Sequence, residues 1–394
     1  MDFDFSWLLL GLPLAFVLGW LASRFDLRQL RIENRQAPKA YFRGLNFLLN
    51  EQQDQAIDAF IEAVQNDPDT QELHFALGNL FRRRGEYQRA VRVHEHLLGR
   101  GDLSRADRDR AQHALAQDFL RAGLLDRAEA ALQKLEGTRY ENEARLALLA
   151  IYERSREWAQ AAAVAQKLDE TEQASYGVRR AHHLCEQSAE QVAAGDLNAA
   201  AQLLEQAVAL APQAPRPAID TATLQLRNGD SAKAFETLTA LSENAPLALP
   251  LYAAMLQQAA AASQRAGEAL VLLQRRYAES PSIDVLEAIM ALGGAPVLPD
   301  DTVLNPPAVP EPRDGYIAHL AHLPSLVAAS RWLAGERLTH EQFHPQVQRA
   351  LDQATRPLLR YRCAACGFEA HQHFWHCPGC QAWDSYPPRR VEEL

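Results

Sequence analysis

Apolar residues are distributed along the chain in three different ways, and each predicts a different kind of element. The first is a continuous run. From Phe5 to Ala22 there are 18 residues without a charged side chain. At about 1.5 Å per residue a helix of that length reaches roughly 27 Å, close to the ~30 Å hydrocarbon core of a bilayer. Trp7 and Trp20 lie near its ends, where amphipathic rings settle at the interface, and Gly11 and Pro13 are tolerated in such helices. A cleaved signal peptide would need a basic start and a small-residue cleavage site. This start carries Asp2 and Asp4 instead, and the run continues to Arg24. Residues 1–23 are therefore predicted to be a transmembrane anchor, followed over 24–36 by a basic juxtamembrane segment. Residues 23–43 carry Arg24, Arg28, Arg31, Arg35, Lys39 and Arg43 against Asp26 and Glu33, a net of +4. Lysine and arginine stay on the cytoplasmic side, so the short N-terminus is expected to face out and the bulk of the chain to lie in the cytoplasm. The same basic collar suits anionic lipid headgroups.

The second pattern is a helical period that repeats. A 34-residue frame from Ala37 holds Gly44, Phe47, Ala56, Phe60, Ala63 and Pro68. A frame from Gln71 holds Leu77, Gly78, Phe81, Gly85, Tyr87 and Ala90, and one from Asp109 holds Leu115, Ala116, Phe119, Gly123, Ala128 and Leu132. Further frames start at Asn142, Ala181, Pro215 and Pro250, so the intervals between starts are 34, 38, 33, 39, 34 and 35. Small residues sit where two antiparallel helices cross closely, aromatics fill the adjoining gap, and proline ends the second helix. About seven such units resemble tetratricopeptide repeats, which implies a mainly α fold over 37–292, a right-handed α-solenoid. A solenoid of this kind presents an extended concave face for a protein or peptide. In the family the first helix of each pair lines it, which makes Phe75, Asn79, Arg82, His113 and Gln117 candidate partner-binding residues.

The third pattern is a break and then a short cysteine-rich end. Residues 293–312 contain six prolines and Gly293-Gly294, the composition of an extended linker. Helical patches follow at about Tyr316–Ala334 and His340–Ala354, within a helical segment spanning 313–356. In 357–394, Cys363-Ala-Ala-Cys366 and Cys377-Pro-Gly-Cys380 form two C-x-x-C knuckles separated by ten residues. Each knuckle brings two thiolates to one ion, and four thiolates close a tetrahedral site suited to one zinc or iron ion. So short a segment buries little core, so the metal should supply much of its folding energy. Tyr361, Phe368, Phe374, Trp375 and Trp383 are expected to pack around it. His371, His373 and His376 are nearby, yet four cysteines already fill a tetrahedron. The fifth cysteine, Cys185, lies within a repeat and reads as a small buried apolar residue.

Charge and remaining motifs narrow the function. With a net charge of -10 over 394 residues, the chain lacks the overall basic character of a general nucleic-acid binder. His340-Glu341-Gln342-Phe343-His344 matches the H-E-x-x-H helix motif of metalloproteases. Pro345, however, disfavours helical geometry at His344, and no third ligand is marked. There is no phosphate loop and no nucleophile elbow in the sequence. No catalytic residue is assigned, and the chain is read as a non-enzyme.

The order of parts resembles the lipopolysaccharide assembly protein B family of Gram-negative inner membranes. The most family-like stretch is Tyr361-Arg-Cys-Ala-Ala-Cys-Gly-Phe368, followed by Phe374-Trp-His-Cys-Pro-Gly-Cys380-Gln-Ala-Trp383. The resemblance implies a rubredoxin-like metal domain, with Cys363, Cys366, Cys377 and Cys380 as ligands. It further implies an adaptor that limits lipid A synthesis by delivering the deacetylase LpxC to the membrane protease FtsH, alongside other lipopolysaccharide-assembly proteins. Two other readings share these features: a general scaffold for envelope assembly, and a membrane-tethered rubredoxin-like electron carrier. The loop between the knuckles is much shorter than in electron-carrying rubredoxins.

Overall fold

The structure is a computed structural model that describes residues 15–20, 40, 42–66, 70–171, 175–296, 312–336 and 342–394. Most of the expected anchor, the basic segment 24–36 and most of the Pro-rich linker lie outside the described residues. Of the anchor, residues 15–20 are helical and expose Phe16, Val17, Leu18 and Trp20. Among the described residues no helix is long and apolar enough to cross a membrane.

The chain divides into two compact units, Met1–Ile151 and Tyr152–Leu394. The first contains α1 (residues 42–49), α2 (Gln53–Asn66), α3 (Gln71–Arg83), α4 (Tyr87–Leu98), α5 (Arg105–Ala122), α6 (Leu125–Gln133) and most of α7 (Glu141–Ser155). The second contains α8 (Trp158–Thr171), α9 (Gly177–Ala194), α10 (Leu197–Leu210), α11 (Pro215–Arg227), α12 (Ser231–Asn244), α13 (Leu249–Ala262), α14 (Ala266–Glu279) and α15 (Ile283–Ala291). It continues through α16 (Pro312–His322), α17 (Leu326–Gly335) and α18 (His344–Thr355) to a two-stranded ribbon, β1 (Tyr361–Arg362) and β2 (Glu369–Ala370). Within the first unit each helix from α2 to α5 packs on the next, and α3 also touches α5. In the second unit the first helices of successive pairs touch directly: α9 with α11, α11 with α13, and α13 with α15.

The sequence accounts for this stacking residue by residue. Ala56, Ala63, Ala90, Ala128, Ala161, Ala200, Ala207, Ala234 and Ala269 are fully buried, as small residues at helix crossings must be. Gly78 is under still tighter constraint, because a Cβ there would lie 2.5 Å from the His94 ring. The turn inside each pair needs one left-handed residue, and these positions are Glu51, Gly85, Gly123, Arg156, Gly195, Gly229 and Gln264. Their spacings of 34, 38, 33, 39, 34 and 35 reproduce the intervals between sequence frames.

Beyond the repeats the boundaries differ from the sequence expectation. The patch at Tyr316–Ala334 is two helices, because Pro324 lacks an N–H and pushes its predecessor out of helical geometry. The following patch starts at His344, not His340, with Pro345 in its first turn, where a missing N–H costs nothing. His344 Nε2 donates to the Leu333 carbonyl, 3.1 Å away, and Gln342 and Phe343 form a turn. These helices extend the array: Tyr316, Val327 and Ala328 share one core with Leu286 and Ile289, and His319 Nδ1 lies 2.6 Å from the Tyr277 hydroxyl.

Candidate metal centre and its seat

The β1–β2 ribbon pairs Tyr361 with Ala370 and Arg362 with Glu369, and so holds the first knuckle at its turn. The second knuckle follows the same plan. Cys363 N–H donates to Phe368 O and Gly367 N–H to Cys363 O; equivalently, Cys377 N–H donates to Ala382 O and Gln381 N–H to Cys377 O. Gly367 and Gln381 occupy matching positions, with φ of 78° and 61°. Backbone N–H groups turn onto the sulfurs with the same symmetry. Cys363 receives those of Ala365 and Cys366, Cys377 those of Gly379 and Cys380, Cys366 that of Phe368, and Cys380 that of Ala382.

All four sulfurs lie within 4.8 Å of one another. The Cys363–Cys380 and Cys366–Cys377 pairs are each 3.8 Å apart. A tetrahedron with metal–sulfur arms of about 2.3 Å has edges of about 3.8 Å, so the thiols fit one zinc or iron ion. Their acidities diverge, as expected of crowded like groups. Burial works to raise Cys363, but the Ser385 hydroxyl and the backbone N–H groups outweigh it and bring the thiol down to about 6. The Phe368 N–H favours the Cys366 thiolate, yet burial and the other sulfurs push this thiol up to about 12. Two of the three nearby histidines are occupied elsewhere: His373 Nε2 lies 3.1 Å from Tyr386 O and His376 Nε2 3.0 Å from Gln381 O. Tyr361 is buried and Phe374 partly so, whereas Phe368 is exposed, which corrects its expected place in the core.

The knuckle sits on the first helices of the second unit. At one end the Trp383 ring stacks between His182 of α9, at 4.9 Å, and His376, at 4.3 Å. His182 Nε2 lies 2.9 Å from both carboxylate oxygens of Asp384. Beneath it, Glu153 accepts from Arg179 at 2.7 and 2.6 Å and lies 2.7 Å from His183 Nε2. Burial alone would raise the Glu153 carboxyl, but Arg179 and His183 outweigh it and hold it at about 2. At the other end Arg390 donates to both oxygens of Asp284 at 2.9 and 2.8 Å and to Leu359 O at 2.7 Å. Glu392 accepts from Val327 N–H and Ser325 Oγ, each at 2.9 Å, and Glu393 from Ile283 N–H at 2.7 Å. Each carboxylate thus meets a helix N-terminus, of α17 and of α15, where the backbone favours negative charge.

The partner-binding candidates lie in the first unit. Phe75 is a correction: it is 1% exposed, packed with Leu97, Leu103 and Ala111 beneath the Arg110 guanidinium. Arg82 donates to Asn79 Oδ1 at 2.5 Å, Ala114 O at 3.1 Å and Asp118 Oδ1 at 2.9 Å. Asp118 is fully buried and its other oxygen lies 2.5 Å from His94 Nδ1. His113 Nε2 lies 3.2 Å from Gln117 and 3.1 Å from Glu143, with the ring stacked on Tyr140. Asn79 and Arg82 are therefore joined, as are His113 and Gln117. Cys185 is 1% exposed, and burial pushes its thiol up.

A family profile described as a rubredoxin metal binding domain matches residues 361–387, and tetratricopeptide repeat profiles match 73–109 and 191–259. The lipopolysaccharide assembly protein B of Escherichia coli K12 is 32% identical over 97% of this chain and 98% of its own length. The chain belongs to the lipopolysaccharide assembly protein B family. A Haemophilus influenzae member is 28% identical over 98% of each chain. Among solved structures, the TPR2AB domain–pHSP90 complex of yeast Sti1 aligns at a TM-score of 0.35 and 15% identity, covering 66% of this chain and 99% of that one.

Membership of the family accounts for the four cysteines, which the sequence had already singled out. The seat was not foreseen. Its signal was nevertheless present, because His182, Arg216 and Leu251 hold the second position of three successive frames. Arg216 Nη1 lies 3.5 Å from His182 Nδ1, and Leu251 packs against the knuckle core.

Proposed function

We propose that this chain serves lipopolysaccharide assembly as a non-catalytic adaptor at the bacterial inner membrane, presenting LpxC to FtsH. The observation that carries this reading is the end-to-end match, over 97% of the chain, to a protein named for lipopolysaccharide assembly. The apolar, charge-free run Phe5–Ala22 supports a membrane anchor, and the helical array supports a protein-binding role. Holding client and protease on one membrane patch raises their effective concentration, so weak individual contacts suffice. The metal, held by Cys363, Cys366, Cys377 and Cys380, supplies folding energy to the knuckle.

Depleting the protein in its own organism and following LpxC half-life, with and without FtsH activity, tests the reading. A longer half-life on depletion, with no further gain when FtsH is also inactive, is the expected result. An unchanged half-life would sink it.

A further inference from the structure

The knuckle meets the helical array at two ends and leaves a gap between them. Trp383 and Asp384 rest on His182 at one end, and Arg390, Glu392 and Glu393 hold α15 and α17 at the other. Between these anchors lies a cavity of about 300 Å³, with Ile219 and Leu251 on the array side and His371, His373 and Trp375 on the knuckle side. Apolar contact across the seat comes from Leu251, Leu358, Leu359 and Trp375 and from the Trp383 ring on His182 and Trp158, whereas the anchors made by Asp384, Arg390, Glu392 and Glu393 are polar groups that water can satisfy.

The tail makes most of the contacts at its end of the seat. Arg389 donates to Ser280 Oγ, Arg390 to Asp284, Glu392 accepts at α17 and Glu393 at α15. The segment is tied back to the entry of the knuckle by two backbone bonds, Val391 N–H to Arg360 O and Glu392 N–H to Leu358 O, and by Arg390, which donates to Leu359 O and lies over the Tyr361 ring. What holds the knuckle together is separate: the four thiols, the β1–β2 pairing and the bridge between His376 and Trp383. Losing the tail's side-chain contacts would therefore free the knuckle from α15 and α17 and leave it folded, held to the array at the Trp383–Asp384 end.

We propose that Arg389–Glu393 is a latch that keeps the knuckle closed as a lid over the face formed by α9, α11 and α13. Opening bares His182, Ile219 and Leu251, an apolar strip with one imidazole, next to Arg216, whose guanidinium is paired with Glu186 and Asp220. Its present occupant shows what it accepts: an aromatic ring next to a carboxylate, as in Trp383-Asp384. A partner segment with that pairing fits the open face and competes with the lid.

The test uses the full metal-loaded chain and a fluorescein-labelled peptide copying residues 382–386, with binding read by anisotropy. Glu392→Gln with Glu393→Gln should tighten binding about tenfold by raising the fraction of open molecules, with one metal still bound per chain. Adding His182→Ala to that variant should remove the gain. Equal affinity in the wild type and the double variant would overturn the proposal, as would a gain that survives His182→Ala. Loss of the metal from the double variant would overturn it too, since the tail would then be part of the knuckle's own fold.

Discussion

Among the seven turns that join paired helices, glycine supplies the left-handed residue at four, and Glu51, Arg156 and Gln264 supply it at the others. An L-residue in this region costs roughly 1–2 kcal/mol, whereas glycine costs about 0.5–1 kcal/mol in chain entropy. Gly195→Ala should therefore destabilise the second unit by about 1 kcal/mol, while Arg156→Gly and Gln264→Gly should be neutral or slightly stabilising, as read from urea unfolding. The glycines were legible in the sequence because they recur; the three non-glycine positions were not, since no side chain advertises a positive φ. Phe75 shows the opposite failure: its place in the frame marked the binding face, but Arg110 covers it and the ring belongs to the core. Glu153 adds a pH dependence. Its carboxyl is lowered from 4.5 to about 2, so its contribution is complete above 4.5 and is lost as pH falls from there towards 2. Circular dichroism of the wild type should show loosening in that window, on the order of 3 kcal/mol, and Glu153→Gln should remove much of it.

At the scale of elements, the knuckle and the repeats depend on different forces. The repeats bury alanines and aromatics between neighbouring helices, whereas in the knuckle the buried cluster is Tyr361, Cys363, Cys377 and Tyr386. Chelating the metal, or Cys363→Ser, should therefore unfold residues 361–387 and leave the helical far-ultraviolet signal nearly intact. Metal analysis should give one ion per chain before treatment and none after; retention of the ion by Cys363→Ser would contradict the four-thiol site. Most of this level could be read from the sequence: helix pairs, their drift in length, and two symmetric C-x-x-C turns. The seat was hidden because it joins segments whose local patterns say nothing of each other. Trp383 reads as a knuckle core residue until His182 is seen stacked on it, and Arg390 reads as surface until Asp284 receives it. The split of Tyr316–Ala334 was, by contrast, available in Pro324.

For the whole molecule, the adaptor reading makes the anchor as necessary as the array. Removing residues 1–23 should leave one metal per chain and an unchanged helical signal, yet lengthen LpxC half-life as depletion does, because effective concentration falls once the membrane no longer gathers the partners. Full LpxC turnover by the truncated protein would argue against co-localisation. The seat bears on a different property of the chain, the order in which it becomes native. Each repeat closes on contacts with its neighbours, and such local contacts form early. Arg390 and Asp284 are 106 residues apart, and His182 and Asp384 are 202 apart. Closing loops of that length is entropically costlier and slower than stacking one helix pair on the next. Refolding should thus proceed at two speeds, with helix signal returning first and the environment of Trp383 becoming native last, so a newly made chain passes through a period as an open array before its own knuckle covers it.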